Sequence, residues 1–495
     1  MLTFKTTYMK LYKIKITALV VSVLILGGCK KFVESGNVNI NPNQPADVTL
    51  NTLLPAVQFV TANNQTSVAY ITSMFTQQMA AYSSGPINDD QHRDVRISSA
   101  YFGLYQNGMT NSKLLIDKAG VLGAPHYAAI GRILFVTNMQ LATDTYGDVP
   151  LSDAFKAPEV LQPKYDKQQD IYTYMLAELD KAIAEIALTN PATLRPLIDD
   201  LFYGGNMTRW REAAHFLKAR LYLHQTKKGV ATAASNALTA LANGFTANTS
   251  DFQMIFSDKN PNPWHVAVSG RISGSAVFTI APSQRFLNNL TGVTYAGLFD
   301  PRVNKLISKS GSNPQYLGLN NGFGNTGGNN CDLRDTSFYA QKISPLVIGS
   351  YAEQKMIEAE ARFLANGGTA ASVGTVQAAY DAYKAAIAAN LSKMGLPAAY
   401  SALPLVDVGT ANLTMEHIMR EKQVILFLNP EAWTDMRRYD YNTNLFRGIA
   451  LPVNQNAEMG GQQIRRAMYP LEEVTRNPNA QAVFKPMTDK VWWDQ

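Results

Sequence analysis

Cysteine and histidine are scarce in this 495-residue chain. There are two cysteines, Cys29 and Cys331, and six histidines, at 92, 126, 215, 224, 265 and 417. Two distant cysteines build no disulfide framework and no Cys-x-x-Cys metal motif. No H-E-x-x-H and no G-x-S-x-G occurs. His215 and His224 fall nine apart on one predicted helix, too far to share a metal, so His224 is expected to pack or cap. Cys331 sits in a predicted loop with no histidine near it in sequence, which leaves it without a base. No carboxylate pair stands out for glycoside cleavage. Charge is also sparse, at 17% of residues with a net +6, and Lys5, Lys10, Lys13 and Lys15 supply four of those charges. A remainder so close to neutral lacks the dense basic footprint that nucleic acid requires. No stretch after residue 28 approaches the roughly 20 apolar residues of a membrane span.

What is present begins at the N-terminus. The four lysines precede an apolar stretch, 16–26, which as a helix would reach roughly 16 Å, about half a bilayer core. A basic region, a short apolar region and small residues before a cut site make a secretory signal peptide. The stretch Leu26-Gly27-Gly28-Cys29 resembles a bacterial lipobox. Small residues fit a narrow peptidase groove, and the Cys29 thiol is the nucleophile that takes a diacylglyceryl group. Either Met1 or Met9 can open such a signal. The expected organisation is a signal peptide over 1–28, a tether over 29–45, a helical part over 46–247, a loop-rich insertion over 248–345 and a helical part over 346–495. Two or three acyl chains on Cys29 would anchor the chain firmly, where one would not.

Most of the remainder has helical periodicity. In 168–187, Ile171, Met175, Leu179, Ile183 and Ile186 recur at spacings of three or four. In 208–228, Trp210, Ala213, Ala214, Leu217, Leu221 and His224 share one face. The stretch 350–368 opens with Ser350 and Glu353, a capping-box spacing, and stops at Asn366-Gly367-Gly368. Another helix follows over 376–395. Short antiparallel pairs of this kind characterise helical repeat arrays such as tetratricopeptide repeats.

Residues 248–345 are instead rich in Gly, Asn, Ser, Pro and aromatics. The stretch 311–331, GSNPQYLGLNNGFGNTGGNNC, is expected to be loop. Within it GFGNTG matches a dinucleotide fingerprint by letters alone, since no strand precedes it and no helix follows. NDDQHRD at 88–94 has the residues to hold calcium, but an acidic loop on a solvated surface is the expectation.

The C-terminal third is the most specific. In 418–442 an apolar helix breaks at Asn429-Pro430, and Trp433 and Arg437 follow one turn apart, a spacing that lays guanidinium over indole. Taken in order, NPNQP (41–45), LLPA (53–56), DTYGDVPLSDAF (144–155), YDKQQDIY (165–172), ELDKAI (178–183) and YGGNMTRWREAAHFLKARLYL (203–223) resemble the SusD/RagB family of outer-membrane lipoproteins, in its SusD-like branch. So do DPR (300–302), YAEQKMIEAEA (351–361), EAWTDMRR (431–438) and YPLEEVTRN (469–477). The resemblance implies a mostly α fold with tetratricopeptide-like pairs and a loop-rich region. It also implies a lid-like, non-enzymatic protein without cofactors at the bacterial outer membrane. Such a protein captures oligosaccharides, or in some cases peptides, and hands them to a SusC-like TonB-dependent transporter. Tyr146, Gly147, Asp148, Trp433, Arg437 and Arg438 would then be scaffold. Flat rings on loops suit sugar or peptide faces, which makes Tyr82, Trp264, Tyr295, Tyr316, Phe323 and Tyr339 the candidate ligand contacts, Trp264 first. A surface glycosidase and an adhesive repeat protein remain the alternatives.

Overall fold

The computed structural model describes residues 48–82, 85–270, 279–310, 314–324, 329–334 and 337–495. The signal peptide, Cys29 and the tether lie outside the described residues. The unit Leu50–Gln495 is built on helices, as the expected mostly α fold requires. In chain order the helices are α1 (Leu50–Phe75), α2 (Ile87–Asp90), α3 (Ser98–Phe102), α4 (Thr110–Leu122), α5 (Pro125–Tyr146), α6 (Gln168–Ile186), α7 (Met207–His224) and α8 (Val230–Leu241). They continue as α9 (Gln284–Leu290), α10 (Val303–Leu306), α11 (Tyr351–Ala365), α12 (Gln377–Lys393), α13 (Met415–Ile425), α14 (Glu431–Arg438), α15 (Leu471–Arg476) and α16 (Pro478–Ala482). Among the described residues sheet is confined to two antiparallel ribbons, β1 (Met79–Ala81) with β3 (Ile280–Pro282) and β2 (Phe252–Met254) with β4 (Leu346–Gly349). Among the described residues no helix is long and apolar enough to cross a membrane.

Helices α4, α5, α6, α7, α8, α11 and α12 pack one on the next as a continuous array. The apolar stripes seen in the sequence form its seams: Ile171, Met175, Leu179 and Ile186 of α6 are buried, as are Trp210, Ala213, Ala214, Leu217, Leu221 and His224 of α7. Residues 248–345 leave the array after α8 and rejoin it before α11. Helix α1 lies across α4 and α5, and α14 meets α1 and α7.

Local chemistry sets the ends. Asn206 accepts the Arg209 N–H at the start of α7, and Ser350 accepts the Glu353 N–H at the start of α11. The expected box at α11 does not close. The Glu353 carboxylate turns to the buried Arg220 at 2.7 Å, where a bidentate guanidinium pair takes both of its oxygens. A true capping box forms at α13, where Thr414 and His417 exchange bonds. Burial and Arg420 push the His417 imidazole down to about 4, which keeps it neutral and able to accept. At the end of α5, Gly147 takes φ 87°, and a Cβ there would sit 3.2 Å from the Arg466 guanidinium. The neighbouring Asp148 accepts the Gln168 N–H that opens α6.

The segment 88–94 is solvated only in part: Asn88, Arg93 and Asp94 are exposed, but its centre is buried. Asp90 and His92 are 1% and 2% exposed. Burial is tolerated because the Asp90 carboxylate collects N–H donors: Ala81 at 2.9 Å, Gly322 at 2.8 Å and the Asn321 amide at 2.7 Å. Gly322, the first residue of GFGNTG, has φ 80°, and a Cβ there would meet the Val453 carbonyl. Close backbone approach, not phosphate binding, accounts for that glycine.

Candidate ligand-binding cleft

Helix α1 turns Phe59, Asn63, Thr66, Ser67, Tyr70 and Ile71 to one side, at helical spacing. Asn260, Pro261, Pro263, Val266 and Ala267 face them, with Ser99 also in the lining, and enclose a cleft of about 530 Å³. That volume falls in the range of small-ligand sites. The second wall is pinned by the fully buried Asn262. Its amide donates to the Ser344 and Tyr339 carbonyls, and its oxygen accepts the Trp264 N–H at 2.7 Å. Pro261 and Pro263 flank it without backbone donors, and from Pro263 the chain turns helical, with His265–Ser269 as a π-helical turn that carries Val266 and Ala267. Phe59 is propped edge-on by Phe256, and Tyr70 stacks on Trp264 with centroids 6.4 Å apart.

Trp264 is therefore beneath the cleft and not in it, at 3% exposure. Its sequence neighbours form the wall. Tyr339 is buried in the same layer. Tyr295 is also buried, its ring between Arg420 and Arg447 at 5.3 and 5.2 Å. Tyr316 is half-buried, bonded to Asn304 with Lys309 over its ring. Phe323 is 55% exposed. Tyr82 is half-buried against Ala80, Ala281 and Leu319. The six rings do not converge on one point. Tyr82 and Phe323 are related, because the residues before them, Ala81 and Gly322, donate to the same oxygen of Asp90. Tyr82 also connects to the cleft: its N–H donates to the Thr279 carbonyl, and the Thr279 hydroxyl bonds the carbonyl of Ala267.

Sequence reasoning missed the α1 wall. Its signal was a run of small polar residues, Asn63, Thr66 and Ser67, where an ordinary core-facing stripe carries aliphatics.

A buried cluster with metal-ligand side chains lies elsewhere. Asp144, His224 and Glu431 each bring one ligand-type atom within 4.8 Å of the others. Both imidazole nitrogens already face oxygens, Nε2 to Glu431 at 2.8 Å and Nδ1 to the Tyr172 hydroxyl at 2.9 Å. The ring nitrogens a metal would need are thereby already engaged. Burial opposes charge on His224, yet the Glu431 and Asp144 carboxylates hold its imidazole up at about 9. Burial pushes the Cys331 thiol to about 11, which makes it a poor nucleophile. Trp433, Arg437 and Arg438 are buried. The Arg437 guanidinium lies 3.6 Å from the centre of the Trp433 ring system and 4.6 Å from that of Trp493.

Residues 42–470 match the SusD-like family model described as "Starch-binding associating with outer membrane". A solved chitin-binding protein superposes with a TM-score of 0.73 at 23% identity, over 90% of this chain and 100% of that one. A SusD/RagB family protein from Bacteroides thetaiotaomicron has a TM-score of 0.73 at 19% identity, over 90% of this chain and 99% of that one. A chitin-binding SusD homologue from Flavobacterium johnsoniae has 0.70 at 21%, over 90% and 98%. A search of the curated proteins gave no match. With the family model spanning most of its length, the chain belongs to the SusD-like family.

Proposed function

We propose that this protein binds nutrient oligosaccharides at the outer membrane and passes them to a SusC-like TonB-dependent barrel. Lipid on Cys29 holds it to the membrane, and it performs no chemistry on what it carries. The observation that carries the reading is an open cleft with hydroxyl and amide groups on one wall and proline and aliphatic carbon on the other, in a chain of this family. The half-exposed rings of Tyr82 and Phe323, positioned through Asp90, extend the apolar surface available to a sugar face. Relatives named as chitin-binding favour a glycan over a peptide.

Calorimetry of the protein against oligosaccharide and oligopeptide libraries tests the binding step. Saturable binding of an oligosaccharide that is recovered unchanged supports the proposal. Binding of peptides alone, or release of shortened sugars, overturns it. Co-purification of a TonB-dependent barrel with the tagged protein from outer membranes tests the partner.

A further inference from the structure

Resting on that glycan-binding reading, we infer that the cleft selects uncharged oligosaccharides several rings long and rejects acidic ones. Among the described residues its lining contains no Asp, Glu, Lys, Arg or His. Three other open clefts contrast with it. One of about 470 Å³ is lined by Lys113, Asp117, Arg132 and Glu178, another of about 440 Å³ by Arg93, Asp94 and Glu458, and a third of about 430 Å³ by Asp148, Lys167 and Arg466. Beyond the Asn260 end, Asp258 and Lys342 neutralise each other at 2.9 Å. Lys259 and His265 are close in sequence but do not line the cleft, and the His265 ring is directed to Ser269.

The polarity of the α1 wall gives the same answer. Thr66 and Ser67 donate their hydroxyl hydrogens to the carbonyls of Ala62 and Asn63, and Asn63 donates an amide hydrogen to Phe59. The Thr66 and Ser67 oxygens are thereby left to accept, and Asn63 keeps its amide oxygen and one N–H. A mainly acceptor wall suits sugar hydroxyls and amide N–H groups. It repels a carboxylate or sulfate, which would lose water and find no counter-charge. Pro261, Pro263, Val266 and Ala267 opposite offer carbon surface to the C–H faces of the rings. From Phe59 to Ile71 the helical rise is about 18 Å, room for several sugars and not one.

The test is calorimetry of the full lipidated chain in detergent. The probes are neutral chito- and cello-oligosaccharides, and oligogalacturonates of the same lengths, each at low and high salt. Neutral oligomers should bind more tightly as they lengthen, with affinity nearly independent of salt, and the acidic series should bind at least about tenfold more weakly. Acidic oligomers that bind as tightly as neutral ones, with affinity falling as salt rises, overturn the selectivity. Failure of every oligosaccharide, neutral and acidic, overturns the glycan reading beneath it. Ser67→Trp fills the cleft and should weaken neutral binding roughly tenfold. Val266→Trp, on the opposite wall at a 53%-exposed position, makes the same test where Ser67→Trp does not fold. Unaltered binding in a folded variant of either kind overturns assignment to this cleft.

Discussion

The Nε2 atom of His224 lies 2.8 Å from Oε2 of Glu431, 207 residues further along the chain, with both side chains buried. The pair joins α7 to α14. Glu431 also accepts the Gln140 amide, and Asp144 beside His224 accepts the Trp493 indole N–H. Four separated parts of the sequence meet there.

The pair makes stability depend on pH in a defined way. His224 is held at about 9, above its unfolded value of about 6.5. Its contribution is complete below about 6.5 and is lost as pH rises through about 9. Burial would raise the Glu431 carboxyl, but His224 and Arg220 override this and hold it down at about 2. Its contribution is complete above about 4.5 and fades as pH falls towards 2. His224→Gln should cost about 3–5 kcal/mol near pH 6, because it leaves a buried carboxylate short of its partner. Urea denaturation across the pH range should show that deficit shrinking as pH passes 9. A deficit equally large at pH 6 and above pH 9 would refute the assignment.

Trp433 supports the fold. It is 1% exposed, carries the Arg437 guanidinium on its face and donates from Nε1 to the Tyr441 hydroxyl at 2.7 Å. Trp433→Ala should cost about 3–5 kcal/mol and lower the melting temperature, while sugar affinity stays unchanged at temperatures where the variant is folded. A variant that melts like the parent but no longer binds would place Trp433 in the ligand site.

The array was legible because its signal is local. Ile171, Met175 and Leu179 recur at the period of a helix, and the structure buries them on one seam. The Trp433–Arg437 contact was legible for the same reason, being one turn of one helix. The cleft was not. Its walls are about 200 residues apart in sequence, and Asn63, Thr66 and Ser67 carry no apolar periodicity by which to find them. Trp264 was expected at the ligand, but the chain turns helical at Pro263 and that turn carries the ring inward onto Tyr70. Asn262, which decides that, is an unremarkable residue until its carbonyl partners at 339 and 344 are known. Asp90 was misread for the converse reason: a carboxylate in a polar run looks solvated until the N–H groups of Ala81 and Gly322 are brought to it.

Attachment to the membrane is a separate matter from the fold. Cys29→Ser should abolish incorporation of labelled palmitate and release the protein from membranes after a high-salt wash. The test needs a strain without the barrel partner, since protein–protein contact would also retain it. A Cys29→Ser protein that still sediments with membranes under those conditions excludes the lipid anchor.

The loop rings divide by burial, and the division predicts two phenotypes. Trp264 lies under the cleft against Tyr70, so Trp264→Ala removes the floor of one wall. It should lower stability by about 3–5 kcal/mol and weaken sugar binding through loss of shape. Phe323 is more than half exposed and Tyr82 half-buried, so their alanine variants should melt within about 1 kcal/mol of the parent. If their rings meet the ligand, each should weaken binding by about 1–2 kcal/mol, the scale of a partly desolvated aromatic contact. Asp90→Ala separates placement from contact. It touches no ligand in this arrangement, but it frees the Ala81 and Gly322 N–H groups that position both rings, so it should reproduce the binding loss of the Tyr82→Ala, Phe323→Ala double variant. Calorimetry on the four proteins, beside their thermal melts, decides the point. Full affinity in the double variant would confine the ligand to the α1 cleft, and full affinity in Asp90→Ala with both rings required would show that they hold their places without it.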